Sequence, residues 1–128
     1  LDTRVVNGAA TTSDALWAGV PVVTLQGGHF ASRMSASILT AVGVPELITD
    51  SLEQYENLAV ELGSRPGKLE RLRAKLASNR HSEPLFDTQR FVSGLENAFE
   101  QMWEIYRAGQ SPRLITVSDG APVGGAAT

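Results

Sequence analysis

The run PVVTL at residues 21–25 constrains this chain more than any other stretch. It is apolar on both faces, whereas a strand with one wet face alternates apolar and polar residues. A strand buried on both sides needs helices over each face and neighbours along its edges. The flanking sequence supplies them. Residues 12–18 read as a short helix that Gly19 stops. After the QGGH loop at 26–29, residues 31–42 place Ser35, Ile38, Leu39 and Val42 on one helical face, and Gly43 ends that helix. PELI at 45–48 reads as another short strand, and Leu1 to Thr3 as the end of one that leads into a loop at 4–8. Strand, helix, strand, helix, strand is half of a doubly wound sheet. The predicted class is therefore α/β: the C-terminal half of a Rossmann-like lobe, with few short parallel strands and a C-terminal helical segment. Three short strands leave parallel edges open. The chain also starts on Leu1 inside an element, so a truncated domain from a longer protein is expected.

Asp50 or Ser51 can cap the next helix, which carries Leu52, Tyr55, Leu58, Ala59 and Leu62 at helical spacing. Residues 63–67 break it. Leu69, Leu72 and Leu76 form another stripe, with Glu70, Arg71, Arg73 and Lys75 on its solvated face. The loop HSEPLFDT ends at a good cap, Asp87 or Thr88, and the longest helix follows over 89–107. Its stripe of Phe91, Leu95, Ala98, Phe99, Met102, Trp103 and Tyr106 reads as core, where the helix crosses toward a lobe outside this chain. Trp17 also reads as core. Residues 114–128 lack periodicity and are expected to be a disordered tail.

Composition narrows the partners. Apolar content is 42%, charged content 20% and the net charge -3. Such a balance gives no general attraction to nucleic acid or to an anionic membrane. There is no cysteine and there are two histidines. Thiolate and histidine-rich metal sites are therefore not expected, and neither is any cofactor. A cysteine-free chain suits a reducing compartment, and the expected location is the cytoplasm.

The candidate site is NGAATTSD at residues 7–14, a strand-to-helix turn. In open α/β sheets ligands bind beyond the carboxyl ends of the strands. Gly8, Ala9 and Ala10 let the backbone come close to a ligand. Amides at a helix start lack internal partners, and the dipole adds about half a positive charge there. A phosphate suits that place. Thr11 and Thr12 add hydroxyls, and Asp14 can accept from a ribose hydroxyl. The same residues also read as an ordinary helix start, with Thr12 or Ser13 as cap. His29 and Arg33 lie on the ligand side of the sheet, where a solvated loop histidine and an arginine in a structural ion pair are the plainer readings.

The sequence from LDT through NGAATTSDALWAGVPVVTL and FASR to ASILTAVGVPELI resembles the C-terminal catalytic lobe of the O-linked N-acetylglucosamine transferase and SPINDLY family. The likeness extends over residues 1–113, through SEPLFDT and the closing helix. Members are glycosyltransferases of the two-lobed GT-B fold, usually preceded by tetratricopeptide repeats. The resemblance implies a donor-binding part of an enzyme that transfers N-acetylglucosamine from UDP-N-acetylglucosamine to protein Ser or Thr. It implies no metal, and acceptor alignment by another lobe and the repeats. In the family an HTT segment followed by an acidic residue holds the diphosphate and ribose. Here Ala9 stands at the histidine position, Ala10 at the first threonine, Thr11 at the second and Asp14 at the acidic position. Thr12 offers a substitute hydroxyl. The two alanines leave open a GDP-fucose donor, or a non-catalytic scaffold that has lost donor binding. The resemblance places no catalytic residue in this chain.

Overall fold

A computed structural model describes residues 1–117. It contains two compact units, Leu1–Phe86 and a second beginning at Asp87. In the first unit, helix α1 (Ala10–Trp17) precedes strand β1 (Thr24–Leu25), a 3-10 turn (Phe30–Ser32) and helix α2 (Met34–Ala41). A further 3-10 turn (Pro45–Leu47) leads into strand β2 (Ile48–Thr49), then α3 (Leu52–Ser64), α4 (Pro66–Asn79) and a last 3-10 turn (Pro84–Phe86). β1 and β2 are parallel, with Thr24 opposite Ile48 and Leu25 opposite Thr49. This is the α/β class that the sequence predicts.

Several elements differ in extent from the sequence reading. Val22 and Val23 are buried, but only Thr24 and Leu25 enter the ladder. Residues 1–3 form no strand; the Asp2 amide alone bonds the Val23 carbonyl, at 3.0 Å. The second helix is split. The Ser32 hydroxyl accepts from the His29 amide at 3.2 Å and donates to the His29 carbonyl at 3.0 Å, which holds residues 29–32 in a tighter turn before α2 begins. In PELI the proline has no amide to give a ladder, so it opens a 3-10 turn and only Ile48 joins the sheet.

α1 ends as the sequence predicts. Gly19 has φ +78°, and the amides of Gly19 and Val20 bond the carbonyls of Leu16 and Ala15. That paired closure needs a left-handed residue, which glycine takes without a Cβ penalty. Beneath the sheet, Leu16, Val23, Leu39, Val42, Val44, Leu47, Leu62, Leu72 and Leu76 form one buried cluster. It draws on α1, the residue before β1, α2 and the turn after it, α3 and α4, so it fixes their mutual placement. Each such leucine contributes about 1.5–3 kcal/mol relative to an exposed one.

Trp17 is not part of that cluster. It is 51% exposed, edge-on to Phe86 at 5.1 Å between ring centres, with the Arg80 guanidinium over its face at 5.2 Å. On a helix the residue after Leu16 is turned about 100° away, off the buried face. Arg80 also donates to the Trp17 carbonyl at 2.6 Å, closing the end of α1.

In the second unit, α5 (Thr88–Arg107) starts at Asp87, whose carboxylate accepts from the Arg90 amide at 3.0 Å. No residue of α5 is buried. The stripe expected as core is exposed instead, including Phe91, Phe99, Trp103 and Tyr106. A 20-residue amphipathic helix cannot cover its own apolar face. Pro112, Leu114 and Ile115, in the segment after α5, line an open cavity with Ala98, Met102, Ile105 and Tyr106. Of the tail expected over 114–128, residues up to Val117 are described and have no regular secondary structure; the remainder lies outside the described residues. Among the described residues no helix is long and apolar enough to cross a membrane.

Candidate functional site

α1 begins two residues earlier than the sequence suggests, at Ala10, and no side chain caps it. Its first backbone bond runs from the Ser13 amide to the Ala9 carbonyl, at 3.0 Å. The amides of Ala10, Thr11 and Thr12 precede that bond and have no acceptor within the helix. Ala9, Ala10 and Thr11 are exposed, so this positive end of the helix is open.

The helix separates the five predicted residues by face. Ala10 and Asp14, four apart, share the exposed side with Thr11. Thr12 and Leu16, also four apart, are buried. The Thr12 hydroxyl lies 3.0 Å from the Ser35 hydroxyl, which donates to the Gly8 carbonyl at 2.9 Å. Ser35 has one hydroxyl hydrogen, so within this chain of bonds Thr12 donates. Thr12 thus joins α1 to α2 and to the turn, while Ala9, Ala10, Thr11 and Asp14 stand at the surface.

Gly8 is required by close approach. A Cβ there would lie 2.5 Å from Thr11 Oγ1 and 2.8 Å from Thr12 Oγ1. The two hydroxyls crowd over a backbone that only glycine leaves free. Asn7, beside it, is 6% exposed. Its amide donates to the Ala31 carbonyl and its side-chain nitrogen to the Thr3 carbonyl, both at 2.9 Å. The first of these bonds brings the turn against the loop that follows β1.

That second loop holds the other two residues singled out in the sequence. His29 is exposed in it. Arg33 is exposed too, and forms no salt bridge among the described residues, so the expected structural ion pair is absent there. Arg33 lines a shallow cleft of about 390 Å³ with Gln26, Phe30, Met34, Ser37 and Thr40. Its guanidinium gives that cleft a positive charge.

Asp2 and Tyr55 are the residues that sequence reasoning missed. The Asp2 carboxylate accepts from the Gly8 amide at 2.8 Å and from the Thr24 hydroxyl at 2.7 Å. The Tyr55 hydroxyl donates to the Asp2 carbonyl at 2.8 Å. Burial, and then the nearby Asp2 charge, raise the Tyr55 phenol above its usual range, so it stays a donor at any neutral pH. The available signals were the carboxylate within LDT and a phenol, Tyr55, set in the apolar stripe of Leu52, Leu58 and Leu62.

Known proteins are similar to this chain over most of its length. The chain is 42% identical over 118 residues to a probable UDP-N-acetylglucosamine–peptide N-acetylglucosaminyltransferase SEC of Arabidopsis thaliana, covering 91% of this chain and 12% of that protein. It is 39% identical over 124 residues to a UDP-N-acetylglucosamine–peptide N-acetylglucosaminyltransferase of Caenorhabditis elegans, covering 97% of this chain and 11% of that one. A solved structure of a mutant O-GlcNAc transferase from Thermobaculum terrenum superposes with a TM-score of 0.78 and 38% identity, over 84% of this chain and 21% of that one. The chain thus spans about an eighth or less of the curated relatives' length. Residues 1–95 match Glycosyl transferase family 41, a span that holds the turn, α1, the sheet and the core. With this match over most of its length, and a solved relative of the same fold, the chain belongs to Glycosyl transferase family 41.

Proposed function

We propose that this chain is the nucleotide-sugar side of a protein O-glycosyltransferase that moves N-acetylglucosamine from UDP-N-acetylglucosamine to Ser or Thr of proteins. The observation that carries the reading is the uncapped, exposed start of α1 beside Gly8. The amides of Ala10, Thr11 and Thr12 and the Thr11 hydroxyl bind the diphosphate, Ala9 lines its approach, and Asp14 accepts from a ribose hydroxyl. Thr12 adds its amide, while its side chain holds the turn from within. The donor is supported by the names of the relatives, which specify UDP-N-acetylglucosamine and a peptide acceptor.

In such a transfer the acceptor oxygen bonds the anomeric carbon and the nucleoside diphosphate leaves with the bonding pair. Charge grows on the diphosphate as that bond breaks. Amides already oriented toward it stabilise the charge without rearranging at the moment of reaction. This is the task assigned to residues 1–113. Acceptor alignment and the remaining catalytic groups are assigned to other parts of the polypeptide, tetratricopeptide repeats among them. A cysteine-free sequence supports a cytoplasmic setting.

Titration of the full-length protein with UDP-N-acetylglucosamine and with GDP-fucose tests the reading. UDP-N-acetylglucosamine should bind saturably, and Asp14→Asn should weaken it by about tenfold, the equivalent of one charged hydrogen bond. Preference for GDP-fucose would make the protein a fucosyltransferase. Binding of neither would leave a scaffold.

A further inference from the structure

One side chain holds the loop of residues 2–8 at both ends. Asp2 Oδ1 accepts from the amides of Thr3 at 2.9 Å and Gly8 at 2.8 Å, and Oδ2 accepts from the Thr24 hydroxyl at 2.7 Å. The Asp2 backbone is held as well, by the Val23 carbonyl on one side and the Tyr55 hydroxyl on the other. Thr24 is fully buried in β1, so the carboxylate ties the loop to the most enclosed part of the sheet. Hydrogen bonds to a carboxylate are roughly twice as strong as neutral ones. Gly8 is the residue on which the Thr11 and Thr12 hydroxyls crowd, so the orientation of its peptide fixes the direction in which α1 sets out.

We propose that Asp2 is a positioning residue of the donor site: clamped between Thr24 and the Gly8 amide, it fixes the loop so that the first-turn amides of α1 face the diphosphate in one conformation. This rests on the reading in which α1 holds the diphosphate. The carboxylate also fills the Gly8 amide and repels a second anion there. The diphosphate is thereby directed to the amides beyond it, from Ala10 to Thr12.

The test measures UDP affinity and the two KM values, for UDP-N-acetylglucosamine and for an acceptor peptide, in the full-length protein. Asp2→Ala should weaken UDP binding by about tenfold to a hundredfold, the scale of a displaced binding group, with the peptide KM within about twofold. Asp2→Asn should recover most of the affinity. Its amide oxygen still accepts from Gly8, and the Thr24 hydroxyl can turn to accept from its nitrogen. Ser51→Ala, which removes the cap of α3 without touching the loop, serves as the stability control and should leave UDP affinity unchanged. If Asp2→Ala does not fold, Thr24→Val takes its place, with an expected loss of about threefold, in keeping with one hydrogen bond. The inference alone is overturned if Asp14→Asn weakens UDP while Asp2→Ala does not. It is likewise overturned if Asp2→Asn gives no recovery, or if Ser51→Ala weakens UDP equally. If the unaltered protein binds no UDP, or Asp14→Asn has no effect, the α1 reading fails and this one with it.

Discussion

Leu1–Phe86 and α5 use the same kind of sequence to different ends. In α2 and at its C-terminal cap, residues at helical spacing, Ser35, Leu39 and Val42, are fully buried, the last two in the cluster that α1, α3 and α4 also supply. In α5, a longer and more regular stripe leaves Phe91, Phe99, Trp103 and Tyr106 exposed. Amphipathicity states that a face wants cover. It does not state what supplies the cover, and burial arises only where several elements converge on one place.

The sharpest way to break this contrast is truncation on each side of it. Leu39→Ala should cost about 2–5 kcal/mol, because the site is sealed and leaves a cavity. Phe99→Ser should change stability by less than about 0.5 kcal/mol, as exposed substitutions do. Denaturant midpoints of this chain measure both. A loss at Phe99 to match that at Leu39 would mean the α5 stripe is covered as a core is.

Smaller effects come from the helix starts, which the two units build alike. The Ser51 hydroxyl accepts from the Gln54 amide at 3.2 Å, and Asp87 from the Arg90 amide at 3.0 Å. Replacing either by Ala should cost about 1 kcal/mol. For α3, packed in the core, the loss should appear in the unfolding midpoint. For α5 it should appear as faster hydrogen exchange in the first turn. Unchanged exchange there would show that Asp87 does not cap the helix in solution.

The smallest effect is a surface charge. The Lys68 hydrogen bond, aided by Arg65, holds the Glu61 carboxyl below the usual carboxylate range, with contacts at 2.5 and 2.9 Å. A lowered folded value means that this stabilisation is present above the ordinary glutamate pKa of about 4.3 and is lost as pH falls through the folded value. Glu61→Gln should therefore differ from the unaltered chain most at neutral pH and converge with it in acid. A difference that widened in acid would reverse the assignment.

Much of the first unit is legible in its residues. PVVTL, with glycine stops on both flanking helices, requires a buried strand between helices; Asp50 or Ser51, and Asp87 or Thr88, stand out as caps, and the structure selects Ser51 and Asp87. Strand lengths are not legible, because ladder bonds depend on a neighbour's reach: Val22 and Val23 are as apolar as a strand requires yet pair little. In the candidate site, Gly8 and the two alanines mark a turn that a ligand can approach, but the uncapped start at Ala10 does not follow, since Thr12 and Ser13 read equally well as caps. Which threonine faces outward does not follow. Thr11 and Thr12 are adjacent and chemically alike, and only the packing of Leu16 against the core turns Thr12 inward to Ser35.

The sequence by itself determined the α/β order, the glycine stop of α1 and the place of the turn, since each depends on local backbone preference or on the period of apolar residues. Tertiary structure alone decided that Asp2 reaches across to Gly8 and Thr24, that Trp17 lies half outside, and that Phe91, Phe99, Trp103 and Tyr106 are exposed. Those outcomes depend on residues far apart in the chain meeting in space, and no local pattern records such a meeting.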